Sequence, residues 1–176
     1  MRRIRQLLAS SAIAVSAFAV APVAADAASC KGADAVPSAT SRETHATLCL
    51  LNEQRRAHGL RPLRLDGKLG RAARGHANEM VAKRYFAHES KNGATFSTRI
   101  KRTGWTKSRR SYTMGENIGW GGGSLSTPRE MVKGWMNSPG HKANILAREF
   151  RFIGIGIAAA TPEGGDGGTY ATDFGG

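Results

Sequence analysis

The sequence predicts an α+β domain in which helices cover a small, mainly antiparallel sheet. Apolar residues recur at intervals of three and four in the first half of the chain, most regularly from Leu69 to Val81. Near the C-terminus the interval changes to two, where Ile153, Ile155 and Ile157 alternate with glycines. Helices therefore precede strands instead of alternating with them, which favours the α+β class.

Residues 1–27 are typical of a secretory signal peptide. Three arginines among the first five residues precede an apolar run from about Leu7 to Val20, and small residues follow it. The apolar run is shorter than the roughly 20 residues that span a bilayer. The sequence thus predicts export, cleavage after Ala25 or Ala27, and no transmembrane segment.

The remaining chain has the length of one domain, which we expect to be monomeric. Its two cysteines are Cys30 and Cys49, and an even pair in an exported protein usually forms a disulfide. We expect this bridge to tie a linker over residues 28–43 to a domain over residues 44–176.

Two helices are predicted at the start of the domain. The first begins at Thr44, carries Leu48, Leu51 and Arg55 at helical spacing, and ends near Gly59. The second is the apolar stripe from Leu69 to Val81, which only His76 interrupts. A histidine on such a stripe is usually a hydrogen-bonded core residue, so His76 is not a candidate ligand.

Three shorter helices follow. One carries Phe96, Arg99 and Ile100, and the next opens on the capping box Thr127-Pro128-Arg129-Glu130. The latter continues through Trp135, which we expect in the core, and stops near Ser138 because Pro139 disfavours helical geometry before it. Pro139 then begins another short helix with Ser138 as its cap.

The glycine-rich segments are predicted to form different secondary structures. Residues 115–123, GENIGWGGG, lack clear alternation and are interpreted as a glycine-flanked turn that holds Glu116. The alternation around Ile155 predicts a strand whose glycine face lies close to a packed element. A turn over residues 161–168 and a strand over residues 169–174 complete an antiparallel hairpin.

The chain has a formal charge of +13, and most of it remains after removal of the predicted signal peptide. We interpret the basic residues, among them Arg71, Arg99 and Arg109, first as a solvated surface. The alternative is attraction to an anionic cell-envelope polymer, because nucleic acid is a poor partner outside the cell.

Several catalytic motifs are excluded by spacing. His88-Glu89 begins like a zinc-protease HExxH signature, but Asn92 stands where the second histidine belongs. The sequence also lacks a GxSxG elbow and a phosphate-binding P-loop.

Five segments, taken in order, resemble the CAP superfamily of cysteine-rich secretory proteins, antigen 5 and pathogenesis-related 1 proteins, particularly its bacterial secreted branch. They are YFAHES, MGENIGWG, GWMNSPGHKANIL, FIGIGIA and YATDFG. The resemblance extends from about Thr44 to Phe174. It implies a three-layer α-β-α sandwich with a surface cavity that two histidines and two acidic residues line.

Matching the motifs assigns His88, Glu116 and His141 to this cavity as binding residues and as candidates for catalysis. The fourth position departs from the family pattern, because Ser138 stands where many relatives have an acid. Glu116 would orient an imidazole or only brace the backbone, and Ser138 would cap its helix or act as a nucleophile beside His141. Asn117 and Asn144 are predicted to brace the backbone and are not assigned to the cavity.

Three functions are compatible with the sequence. The first is a secreted binding or effector protein whose cavity takes a small apolar ligand, a cell-envelope component or a divalent metal. No cofactor is required, although His88 and His141 could bind zinc. The second is a hydrolase acting on a peptide or ester, which has less support because the sequence contains no demonstrable nucleophile. A purely structural envelope role has only the charge in its favour.

Overall fold

The computed structural model describes residues 30–38 and 41–176, so the predicted signal peptide lies outside the described residues. Within these ranges the chain forms five α-helices, four strands and one 3-10 turn. In chain order they are α1 Ser41–Ala57, β1 Arg64–Leu65, α2 Gly67–Ala82, α3 Phe96–Arg102, β2 Met114–Gly122, the 3-10 turn Gly123–Ser126, α4 Pro128–Met136, α5 Pro139–Leu146, β3 Phe152–Ala158 and β4 Gly167–Gly175.

The four strands form one sheet in the order β1-β3-β4-β2. β4 pairs antiparallel with both β3 and β2, whereas the short β1 pairs parallel with β3. The register places Glu116 of β2 opposite Asp173 of β4, which in turn lies opposite Gly154 of β3. The predicted α+β class, the mainly antiparallel sheet and the C-terminal hairpin are confirmed.

Helices pack on both faces of the sheet. On one face, a Cβ atom at Gly154 would lie 2.0 Å from the backbone of Leu69, and one at Gly156 would lie 2.3 Å from the backbone of Ala73. Only glycine lets α2 come this close, as predicted for the glycine face of β3. Ile153 and its neighbours fill a second core against α1, α4 and α5 on the opposite face.

Residues 30–38 are more than a linker. The predicted disulfide is confirmed between Cys30 and Cys49, with the two Cα atoms 5.7 Å apart. The Ala33 carbonyl accepts a hydrogen bond from the Arg129 backbone N–H, and Asp34 forms an ion pair with the Arg129 guanidinium. The segment therefore packs against the start of α4, and α1 already begins at Ser41 instead of Thr44.

The helix-end predictions for α4 and α5 are largely confirmed. The Thr127 hydroxyl accepts the Glu130 N–H, and Pro128 is the first residue of α4. Trp135 is buried at 2% exposure, and its indole N–H donates to the Ile118 carbonyl. Ser138 occupies the N-cap position of α5, but its side chain makes no capping hydrogen bond.

The interpretation of residues 115–123 as a turn is wrong, because residues 114–122 form the edge strand β2. The glycines of this strand permit close packing across it. A Cβ atom at Gly119 would lie 2.4 Å from the Met131 sulfur, and one at Gly115 would lie 2.9 Å from the Phe150 ring. The small residues remove the hydrophobic alternation by which the sequence would have indicated a strand.

In the part of the chain that the structure describes, no helix combines the length and apolar character needed to cross a membrane.

Candidate functional site

Glu116 forms the centre of the candidate site. Its side chain, on β2, is 1% exposed. One carboxylate oxygen lies 2.8 Å from Nδ1 of His88, and the other accepts a hydrogen bond from Arg99 at 2.5 Å. Because the carboxylate accepts a hydrogen bond from Nδ1–H of His88, it fixes the orientation of the imidazole and leaves Nε2 free. The His88 side chain itself is 53% exposed, so this nitrogen can reach a ligand.

Arg99 is a member of this network, and its interpretation as part of the solvated surface is wrong. It is only 9% exposed and donates to the backbone carbonyls of His88 and Ala94, both at 2.9 Å, and to the Ser90 hydroxyl. One guanidinium thus neutralises Glu116 and holds the loop that carries His88. The sequence contained a weak signal for this role, because Phe96, Arg99 and Ile100 follow the i, i+3, i+4 spacing of one helix face.

Asp173 is a second acidic residue that the sequence analysis missed. It is fully buried directly opposite Glu116 in the sheet, and neither of its carboxyl oxygens has a hydrogen-bond partner among the described residues. Burial raises the pKa of Asp173 well above its usual range, and the charge of Glu116 raises it further. A protonated Asp173 places no second negative charge beside Glu116, and its hydroxyl can donate a hydrogen bond to the Glu116 carboxylate.

His76 is a core residue, as predicted. It is fully buried on α2, and its Nε2 lies 2.9 Å from the Ala87 carbonyl, immediately before His88. Burial lowers the pKa of His76 below its ordinary value, so the ring is neutral and donates from Nε2. His76 therefore holds the loop that carries His88 through this hydrogen bond, and its buried side chain is not accessible to a ligand.

We expect His76 to make the stability of the domain depend on pH. As the pH falls below about 6.5, the unfolded chain binds a proton that folded His76 does not, so stability is lost toward acid pH. His76→Gln keeps an N–H donor for the Ala87 carbonyl but does not titrate. Between pH 7.5 and 5.5, the drop in unfolding free energy measured with urea should shrink by about 1 kcal/mol in this variant. His45→Gln, at an exposed position, is the control; an unchanged drop in His76→Gln would contradict the prediction.

Two asparagines connect β2 to α5. The Asn117 amide donates to the backbone carbonyl of His141, and the Asn144 amide donates to the backbone carbonyl of Glu116 at 3.2 Å and to the Asn117 side chain at 2.8 Å. These bonds are the backbone braces predicted for both residues. They fix the first turn of α5, and with it His141, relative to the strand that carries Glu116.

His141 is half-buried, and burial lowers its pKa, with a smaller contribution from the charge of His88. The lowered pKa has the direction expected from the helix dipole, but burial is its main cause. Both His141 and Ser138 line an open groove of about 340 Å³ along the edge strand β2. His88 and Glu116 lie outside the set of lining residues, so only His141 of the three motif residues faces this groove.

The groove is mainly apolar. Phe86, Trp120 and Leu125 are exposed by 43%, 39% and 66%, and they border it on the solvent side. Its remaining wall combines β2 with one side of α4: Ile118, Gly119, Glu130, Met131, Gly134 and Trp135.

The three motif residues do not form a ready-made zinc site. Among the described residues, the only three potential ligands whose donor atoms lie within 4.8 Å of one another are Cys30, Cys49 and Glu53, and the two sulfurs form the disulfide. Both oxygens of Glu116 are occupied by His88 and Arg99. A metal held by the imidazoles of His88 and His141 alone stays a prediction.

Comparison with known proteins gives relatives over most of the domain. The chain is 40% identical over 121 residues to the uncharacterized protein YkwD of Bacillus subtilis, covering 68% of this chain and 44% of that protein. It is 32% identical over 110 residues to the uncharacterized membrane protein YlbC of the same organism, covering 62% of this chain and 30% of that protein. The chain thus spans less than half the length of these two curated relatives.

Solved structures share the fold. An outer surface protein of Borrelia burgdorferi superposes with a TM-score of 0.64 at 23% identity, over 77% of this chain and 93% of that chain. An extracellular protein of Bacillus anthracis that contains an SCP domain superposes with a TM-score of 0.59 at 25% identity, over 78% of this chain and 44% of that chain.

The family model described as CAP, the cysteine-rich secretory protein family, matches residues 48–172. This range contains both motif histidines, Glu116 and the bracing asparagines, and it is more than half of the chain. The chain therefore belongs to the CAP family.

Proposed function

We propose that this CAP-family chain is an exported binding protein that holds a small apolar or cell-envelope molecule in the groove beside β2. The observation that carries the proposal is the groove itself, which the exposed side chains of Phe86, Trp120 and Leu125 line together. Contiguous apolar surface next to a concave site is typical of ligand-binding proteins.

The polar side chains of the groove are few. Ser138 and His141 lie at the start of α5 and Glu130 at the start of α4, whereas Met131 and Trp135 of α4 are apolar. A ligand with an apolar body and one polar group fits this arrangement, because neutral His141 and the uncommitted Ser138 hydroxyl can hydrogen-bond that group.

A hydrolytic role has less support from the same geometry. Within the described part of the chain, Ser138 and His141 form no hydrogen bond to each other, and the buried carboxylate orients His88 instead of His141. The serine, the groove histidine and the acid are thus not connected as a nucleophilic triad requires. Ligand binding explains the apolar lining of the groove and requires no such triad.

Export is supported independently of the groove. The Cys30–Cys49 disulfide is typical of an oxidising compartment, and residues 1–27 have the pattern of a signal peptide. The similar structures from Borrelia burgdorferi and Bacillus anthracis are described as an outer surface protein and an extracellular protein.

Filling the groove tests the proposal. Gly134 of α4 lines the groove, and a Cβ atom there would contact nothing within 4 Å, so Gly134→Leu should occupy the groove without disturbing the helix. The affinity for Nile red, an uncharged apolar dye, should fall at least about tenfold, which corresponds to about 1.4 kcal/mol.

Gly75→Leu is the matched control, because Gly75 also has free space around its Cβ position but lies on α2, outside the groove lining. It should change dye affinity less than about twofold, well under 1 kcal/mol. Equal affinities in the two variants, or no dye binding by the unmodified protein, would refute the groove as the binding site.

A further inference from the structure

A second concave site lies at the opposite edge of the sheet, beside β1. It has a volume of about 320 Å³ and is lined by Arg61, Pro62, Arg64, Arg151 and Phe152. β1 and β3 bring these segments together, because Arg64 is paired in register with Phe152. Since β1 and β2 are the two edge strands, this cavity is separate from the groove.

The arginines that line this cavity form no ion pairs with the acidic residues that the structure describes. Arg61, Arg64 and Arg151 are all exposed, and none of them forms an ion pair with a described acidic residue. The nearby carboxylate of Asp66 is occupied at the start of α2, where it accepts the backbone N–H groups of Lys68 and Leu69. Three arginine side chains therefore line one concavity without an ion-pair partner in the described part of the chain.

Two further arginines add to the positive potential. The guanidinium of Arg109 lies 5.5 Å from the centre of the Phe152 ring, which lines the cavity. Behind the lining, the buried Arg55 donates to the backbone carbonyls of Arg61 and Phe150. Burial lowers the pKa of Arg55 and repulsion from Arg151 lowers it further, whereas the Glu149 carboxylate has a smaller effect in the opposite direction.

The Arg151 side chain is held in place by the protein. Its guanidinium donates to the backbone carbonyls of Arg148 and Phe150, which leaves its remaining N–H groups for a ligand. Guanidinium forks bind phosphate oxygens in pairs, and several forks around one cavity favour a multiply charged oxyanion over a single carboxylate.

We propose that the cavity formed by Arg61, Arg64 and Arg151 binds a phosphate group, carried by an anionic phosphate polymer. The wider basic surface, in a chain of formal charge +13, would attract the rest of such a polymer. The cavity provides the local site at which one phosphate is held. This assignment does not depend on the groove, since the two sites lie at opposite edges of the sheet.

The test compares two variants of equal charge. The triple variant Arg61→Gln, Arg64→Gln, Arg151→Gln removes the cavity charges, and Arg74→Gln, Lys101→Gln, Arg102→Gln removes three exposed charges elsewhere. Binding of inorganic polyphosphate in about 0.15 M salt, where long-range attraction is screened, should weaken at least about tenfold in the cavity variant and less than about threefold in the control. Equal weakening would show that only bulk charge matters, and would overturn the proposal.

A second arm tests the phosphate group itself. Inorganic phosphate should displace polyphosphate from the unmodified protein more effectively than chloride at matched ionic strength, and equal displacement would overturn the assignment to phosphate.

A third arm separates binding from stability, because Arg151 also donates to two backbone carbonyls. If the triple variant has a lower melting temperature, the binding assay is repeated with the double variant Arg61→Gln, Arg64→Gln. This double variant leaves those bonds intact and should still bind polyphosphate at least about fivefold more weakly, roughly 1 kcal/mol.

Discussion

Replacing Arg99 with methionine is expected to lower the free energy of unfolding by about 3–5 kcal/mol, as removal of one partner from a buried ion pair typically does. The substitution leaves Glu116, whose side chain is 1% exposed, without its cation. It also removes the donors to the carbonyls of His88 and Ala94 and to the Ser90 hydroxyl. Three acceptors and one carboxylate would lose a partner from a single change.

Chemical denaturation checks this expectation, with Arg102→Met as the control. Arg102 lies on the same helix but is exposed, so its substitution should change stability by less than about 0.5 kcal/mol. Combining Arg99→Met with Glu116→Leu removes the unpaired charge and should recover part of the loss. A loss below about 1 kcal/mol for Arg99→Met would contradict the role assigned to the pair.

Replacing Arg55 with methionine is expected to destabilise the domain by a similar amount, about 3–5 kcal/mol. Arg55 is fully buried and donates to four backbone carbonyls, those of Arg61, Ile145, Ala147 and Phe150. Each buried carbonyl left without a donor costs about 1–3 kcal/mol. These bonds tie the end of α1 to the end of α5, so the loss should also loosen the helix that carries His141.

The matched control is Arg56→Met, the next residue of α1, which is exposed. Its effect on the urea midpoint should be small, as for most surface substitutions. Hydrogen exchange of the α5 amides provides a second readout, because a loosened α5 exchanges faster. Unchanged α5 protection together with an unchanged midpoint in Arg55→Met would rule out this role.

The sequence determined most of the elements of secondary structure. Five helices follow from apolar spacing, from the Thr127 capping box and from the position of Pro139, because these are local constraints on the backbone. The C-terminal hairpin follows from the alternation around Ile155. The edge strand β2 was not predicted. Its glycines permit close packing against Met131 and Phe150, but they remove the apolar alternation that would indicate a strand.

The family motifs located His88, Glu116 and His141 by resemblance, but not the charges that accompany them. Arg99 and Asp173 come from α3 and β4, and only the sheet register and the packing of α3 place them beside Glu116. Their burial is equally a tertiary property, since an arginine at helical spacing can be either solvated or paired.

The sequence by itself determined the family, the disulfide pair and the local preference of most segments. Only the tertiary structure decided which side of each segment is buried, which histidine contacts the carboxylate, and which of the described arginines at the edge of the sheet form no ion pair. The physical reason is that desolvation and charge pairing depend on neighbours that are distant in sequence, as Glu116 is from Asp173, whereas helix caps and apolar spacing depend on residues within a few positions.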